Sequence, residues 1–188
     1  MLRLRLGCLL LAIVALTARA DVLDLLAERQ GMAGRFTQEI LSAEGEMLER
    51  SAGGFALLRP RYLRWEIESP DRQLLIASDG RLTQVDWDLE AVVERPIPPD
   101  QRSPFDWLLA SRAELEAAFL IETGEQTAIL TPYDSDALYQ RLEITYEPAA
   151  GWQLKAADRG GQVLSIDLSE DRERRPTAAD FVVPDTPF

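Results

Sequence analysis

The sequence predicts a β-rich domain in which many one-faced strands either stack as a sandwich or curl into a barrel. Three observations predict it. Apolar and polar residues alternate with a period of two: Leu63, Trp65 and Ile67 fall on one face, Tyr62, Arg64, Glu66 and Glu68 on the other. The alternating runs are short and separated by turn chemistry such as Asp79-Gly80 and Arg159-Gly160-Gly161. Helical periodicity is confined to two stretches, 21–31 and 103–118. About ten or eleven strands and two helical inserts result.

Residues 1–20 read as an export signal. Arg3 and Arg5 give a positive start, Gly7 to Leu16 an apolar run, and Ala18-Arg19-Ala20 the small residues that a signal peptidase reads. The apolar run is about half the ~20 residues that span a bilayer. Cleavage is expected after Ala20, leaving 21–188 as a single domain, since no repeat or linker divides it. Cys8 is the one cysteine of the chain and leaves with the signal. With the signal go three of the 20 basic residues and no acidic ones, so 17 face 32 and the mature net charge is −15. Such a chain repels nucleic acid and anionic membrane surfaces unless its charge is very unevenly placed.

The elements follow in order. Residues 21–31 read as a short helix with Val22, Leu25 and Leu26 on one face and Gly31 as its stop. From Phe36 the pattern becomes strand-like, with Phe36, Gln38 and Ile40 on one side, and Glu44-Gly45 turns the chain back. Strands then run through Gly53–Leu57, Leu63–Ile67 and Leu74–Ser78, broken by Arg59-Pro60, Ser69-Pro70 and Asp79-Gly80. Residues 81–87 and 90–95 make two more, and the prolines at 96, 98 and 99 stop the sheet. Ser103 and Pro104 open the second helical stretch, with Phe105, Leu108 and Leu109 on one face, and Ser111 caps a further turn through Glu114. Strands return at Phe119–Ile121, and Leu142–Tyr146, Trp152–Ala156 and Leu164–Leu168 alternate as antiparallel hairpins. Phe181–Val183 reads as a last short strand.

Arg59 breaks the pattern. The alternation Gly53, Phe55, Leu57 carries it onto the apolar face just before Pro60. Two readings stand: the strand has ended and Arg59 points into water, or its fork of donors meets backbone carbonyls of a covering element.

Catalysis in its common forms finds few residues. The chain has no histidine, no mature cysteine, no G-x-S-x-G and no phosphate loop, and Lys155 is its one lysine. Carboxylates are plentiful, but Asp71, Asp79, Asp86, Asp88, Asp134 and Asp136 fall at turns or strand ends, where Asp is recruited for its backbone hydrogen bonds. No enzyme is expected; an acid hydrolase on a β-scaffold is the reading of another class.

An ordered motif set runs through the same residues. It comprises Ser51, Gly53, Phe55, Leu57, Arg59-Pro60, Leu63-Arg64-Trp65, Pro70 and Ser78-Asp79-Gly80. Phe36-Thr37-Gln38 precedes it; Asp88-Leu89-Glu90-x-Val92, Pro104 with Leu108-Leu109, and Leu130-x-Pro132 follow. This set resembles the periplasmic outer-membrane lipoprotein carriers, the LolA family, over roughly residues 21–185. The resemblance implies an unclosed, curved antiparallel β-barrel whose apolar concave face is covered by a short helical lid. It implies an acyl-chain groove from Phe36, Leu57, Leu63, Trp65, Ile67, Ile76, Phe105 and Leu108, with Arg59 as the lid latch.

The family's partners are acylated lipoproteins as cargo, an inner-membrane ABC transporter as donor and an outer-membrane lipoprotein receptor as acceptor; no nucleotide, metal or other cofactor is implied, and a monomer is expected. Two departures accompany the resemblance. Gln84 and Asp86 stand where many relatives carry W-x-Y, and the chain ends at Phe188, earlier than many relatives. A paralogue carrying or sensing another lipid is the alternative.

Overall fold

The computed structural model of the protein describes residues 20–97 and 104–184. The export signal (apart from Ala20), the prolines at 98 and 99, Ser103 and residues 185–188 lie outside them. Eleven strands form one antiparallel sheet: β1 (Gly31–Leu41), β2 (Met47–Leu58), β3 (Tyr62–Ser69), β4 (Gln73–Ser78), β5 (Arg81–Asp86), β6 (Ala91–Pro96), β7 (Phe119–Thr123), β8 (Thr127–Pro132), β9 (Tyr139–Glu147), β10 (Gly151–Asp158) and β11 (Val163–Glu170). Their order is β6-β5-β4-β3-β2-β1-β11-β10-β9-β8-β7. Every pairing but β1 with β11 joins neighbours in sequence, so the sheet is two meanders stitched along one seam. The edges β6 and β7 do not pair with each other, and the barrel stays unclosed. Between them the chain forms α2 (Pro104–Leu108) and α3 (Arg112–Ala118).

Curling needs close backbone approach, and Gly53 supplies it. A Cβ there would stand 1.8 Å from the Glu66 carbonyl oxygen and 3.0 Å from the Phe36 ring. The β2–β3 register slips between Ala52 and Gly53, which lets β2 bend inwards. The concave face carries the main core, from Phe36, Phe55, Leu57 and Trp65 across to Leu142, Ile144, Trp152, Leu154, Ile166 and Leu168. The convex face carries a smaller cluster: Ala33, Ala56, Leu74, Ile76, Val85 and Phe181.

Four expectations are corrected. The first helix, α1, spans only Val22–Ala27, capped by Asp21 in a reciprocal box with Asp24, and buries Val22, Leu23 and Leu26. Gly31 does not stop it. Gly31 opens β1, five residues before the expected start, because a side chain there would press on Pro176 at 2.8 Å and on the Leu57 carbonyl at 3.0 Å.

Phe181–Val183 is not a strand: Ala178–Phe181 forms a 3-10 turn. The segment crosses the convex face of β3 and β4, whose ladder groups already serve their neighbours, so Phe181 packs there by its ring, 5.5 Å from that of Tyr62.

Ile76 is the fourth. It pairs with Arg64 on the convex face, while Leu75 and Ala77 pair with Trp65 and Leu63 on the concave one. In Leu74-Leu75-Ile76-Ala77 both faces are apolar, so alternation alone leaves the facing open.

Candidate functional site

Arg59 follows β2 immediately and points its guanidinium between the covering segments. Nε donates to the Arg29 carbonyl at 2.9 Å. Nη2 donates to Leu26 at 3.2 Å and Leu108 at 3.5 Å, and Nη1 to Ala110 at 3.1 Å and to Leu109. These carbonyls lie at and just beyond the C-terminal ends of α1 and α2, where the helix dipole also favours a cation. One planar fork therefore serves two helix ends, which a lysine, with its single point charge, cannot reproduce. Burial pulls the Arg59 pKa down and the nearby Glu114 carboxylate works against it.

A second arginine joins the covering helices to each other. Arg112, the first residue of α3, reaches Asp21 at 2.7 Å and Asp24 at 3.0 Å, and Glu116 at 3.0 Å on its own helix. Burial acts to raise the Asp21 carboxyl, but the hydrogen bond from Arg112 and the Asp24 amide outweigh it and hold the group below the usual carboxylate range. Ser111 and Glu114 cap the same helix reciprocally. Arg112 is 91 residues from Asp21, and no local pattern announced the pair.

Beneath this lid the expected groove residues separate. Phe36, Leu57 and Leu108 are fully packed, none more than 2% exposed. Trp65 stacks on Phe36 with ring centroids 3.7 Å apart and meets Phe105 of α2 at 4.4 Å, so one aromatic column ties sheet to lid. Leu63, Trp65 and Phe105 instead border an open cavity of about 1200 Å³ between the β3–β6 half of the sheet, α2 and the loop between β8 and β9. Ile67 is partly buried and does not line the cavity, and Ile76 is on the other side of the sheet.

The cavity wall also includes residues the sequence reading passed over: Leu75, Ala77, Leu82, Trp107, Leu138 and Tyr139. Leu82 was concealed because Gln84 and Asp86 share its face. There they form a polar ladder, Gln84 donating to Gln73 at 3.4 Å and Gln73 to Asp86 at 3.2 Å. The Tyr139 phenol is pushed up by burial, with Asp158 adding to the shift. The turn carboxylates hold their own turns: Asp86 accepts the Asp88 and Leu89 amides and Asp134 the Asp136 amide. Among the described residues no group of three or more Asp or Glu is placed to hold a metal ion.

An arginine-tied lid over an apolar concave face, with a cavity beside it, can admit and release an apolar chain. The family model "Outer membrane lipoprotein carrier protein LolA" matches residues 27–183. An outer-membrane lipoprotein carrier protein of Vibrio cholerae serotype O1 is 29% identical over 170 residues, covering 89% of this chain and 86% of its own. One of Xanthomonas oryzae pv. oryzae is 31% identical over 158 residues, covering 80% and 76%. A solved LolA superfamily protein from Nitrosomonas europaea superposes with a TM-score of 0.47 at 9% identity, covering 83% of this chain and 91% of that one.

Proposed function

We propose, from the premise that this chain belongs to the LolA family of outer membrane lipoprotein carriers, that it carries lipoproteins by their acyl chains. In this reading it is a periplasmic monomer, exported and cleaved after Ala20. It takes outer-membrane-directed lipoproteins from an inner-membrane ABC transporter and passes them to an outer-membrane receptor. Asp21, the first residue after that cleavage, caps α1, which fits a mature chain that begins there. Among the described residues no helix is long and apolar enough to cross a membrane.

The observation that carries the reading is the Arg59 fork across α1 and α2. Burying an acyl chain stabilises by ~0.8 kcal/mol per methylene, on the order of 12 kcal/mol for about sixteen carbons. A carrier that held its cargo so firmly would not release it. A lid that occupies the same surface competes with the chain and lowers its net affinity. The chain enters first at the open cavity, along Leu63, Trp65 and Phe105. To reach Phe36, Leu57 and Leu108 it must lift α2 and open the Arg59 hydrogen bonds. Closure of the latch then favours delivery. The acidic surface steers docking to a basic receptor face.

The test is a release assay. The mature protein is incubated with spheroplasts carrying newly acylated lipoproteins, and the supernatant is analysed for one-to-one complexes. Energy-dependent release is expected. The polar ladder of Gln73, Gln84 and Asp86 favours a second reading, in which the cargo is another lipid. No release beside a working relative, with a lipid found by mass spectrometry in the purified protein, would select it.

A further inference from the structure

The rim of the cavity carries one arginine, Arg95, that neither the fold nor the latch uses. Across the sheet, Leu63 pairs with Ala77, Ala77 with Leu82, and Leu82 with Arg95. These four positions form one row on the concave face, apolar for three strands and cationic on the fourth. At about 4.8 Å between neighbouring strands the row spans about 14 Å. β6 is an edge strand, so Arg95 stands where the apolar floor meets water. Arg61, two residues before Leu63, lines the cavity at the other end of this row.

Three carboxylates, Asp106, Asp134 and Asp136, also line the cavity. Asp136 pairs with Arg159 at 3.3 Å, and Asp134 accepts the Asp136 amide at 2.8 Å. Arg61 reaches Glu114 at 3.4 Å, a long and exposed contact. Among the described residues Arg95 has no ion pair and no side-chain hydrogen bond. In a chain where acidic residues outnumber basic ones 32 to 20, a guanidinium left without a carboxylate at the end of an apolar floor has its charge available for a ligand.

We infer that the cavity takes an amphiphile with an anionic headgroup, carboxylate or phosphate, whose head rests on Arg95 and whose chain lies over Leu82, Ala77 and Leu63 towards Phe105. The inference rests on the cavity being an acyl-chain site. It adds the charge class of the ligand and the direction in which the chain lies.

The experiment is displacement of the neutral fluorescent probe N-phenyl-1-naphthylamine from the mature protein at low salt. Three competitors with sixteen-carbon chains are used: palmitate, lysophosphatidylglycerol and the uncharged monopalmitoylglycerol. The anionic pair is expected to bind about fivefold tighter than the neutral one, the effect of one partly exposed ion pair. That preference should vanish in Arg95→Gln, persist in Arg61→Gln and fall with salt, while monopalmitoylglycerol binds all three proteins alike. Preference for palmitate alone assigns the carboxylate, and preference for lysophosphatidylglycerol alone assigns the phosphate. Equal affinity for all competitors, or a preference that survives Arg95→Gln, overturns the headgroup site while leaving the acyl site standing. Failure of every competitor to displace the probe overturns the acyl site itself, and the headgroup site with it.

Discussion

Two neighbouring regions of the concave face are made of the same kinds of residue and stand in opposite states. Under α1 and α2, Phe36, Leu57 and Leu108 are packed to near-zero exposure. A few strands away, Leu75, Leu82 and Phe105 border a cavity of about 1200 Å³. Apolarity does not separate them; a polar tie does. Arg59 collects helix-end carbonyls above the first region, whereas above the second the covering loop offers its own turn-bonded carboxylates, and Arg95, without an ion pair among the described residues, stands at the rim. The packed region is thus the one over which the Arg59 hydrogen bonds and the Arg112 ion pairs hold the covering helices.

The contrast can be broken most forcefully at Leu57. Leu57→Ala removes a side chain packed on all sides and is expected to lower unfolding free energy by about 2–5 kcal/mol. Leu75→Ala, beside existing empty space, should lose clearly less; equal losses in urea unfolding would mean that the two regions are packed alike.

Arg59→Leu comes next. The protein should fold with a loss of about 1–3 kcal/mol, the cost of buried carbonyls left without donors. Cargo should accumulate in complex and transfer to the receptor should fall. Normal transfer by this variant would remove Arg59 as the latch.

Ile76→Val tests the face rather than the lid. It should cost about 1 kcal/mol and leave probe binding unchanged, since Ile76 packs on the convex cluster. A loss of binding would return Ile76 to the groove.

The smallest effect is expected at Arg112, which is about one-third exposed. Arg112→Gln should cost about 0.5 kcal/mol and raise lid opening, seen as faster hydrogen exchange in α1 and α3. Its acid dependence has a fixed sign. Asp21 has a folded pKa below its unfolded one, so its contribution is present above the unfolded value and is lost as pH falls through the folded one. The gap between wild type and Arg112→Gln should therefore close below about pH 4. A gap that widened in acid would place the link outside the Asp21 carboxylate.

Much of this architecture was legible because it is local. In Leu63-Arg64-Trp65-Glu66-Ile67 only one face is apolar, so a period of two names the buried side without knowledge of the partner strand. Ser111 with Glu114 announces α3 within four residues. The misreadings fall where locality fails. Leu74-Leu75-Ile76-Ala77 is apolar on both faces, Gly31 serves a contact with Pro176, and Phe181 packs against a face built from β3 and β4.

By itself the sequence determined most of the strands and turns, the two helical inserts and the anomaly at Arg59, because backbone propensity and side-chain alternation act over a few residues. Tertiary structure alone decided what Arg59 reaches, which face of β4 turns inwards, how Arg112 meets Asp21 and which part of the apolar face stays open. Those outcomes depend on how far the sheet curls before its edges could meet. That curl is a sum of small twists and bends over eleven strands, beyond the range of any local pattern.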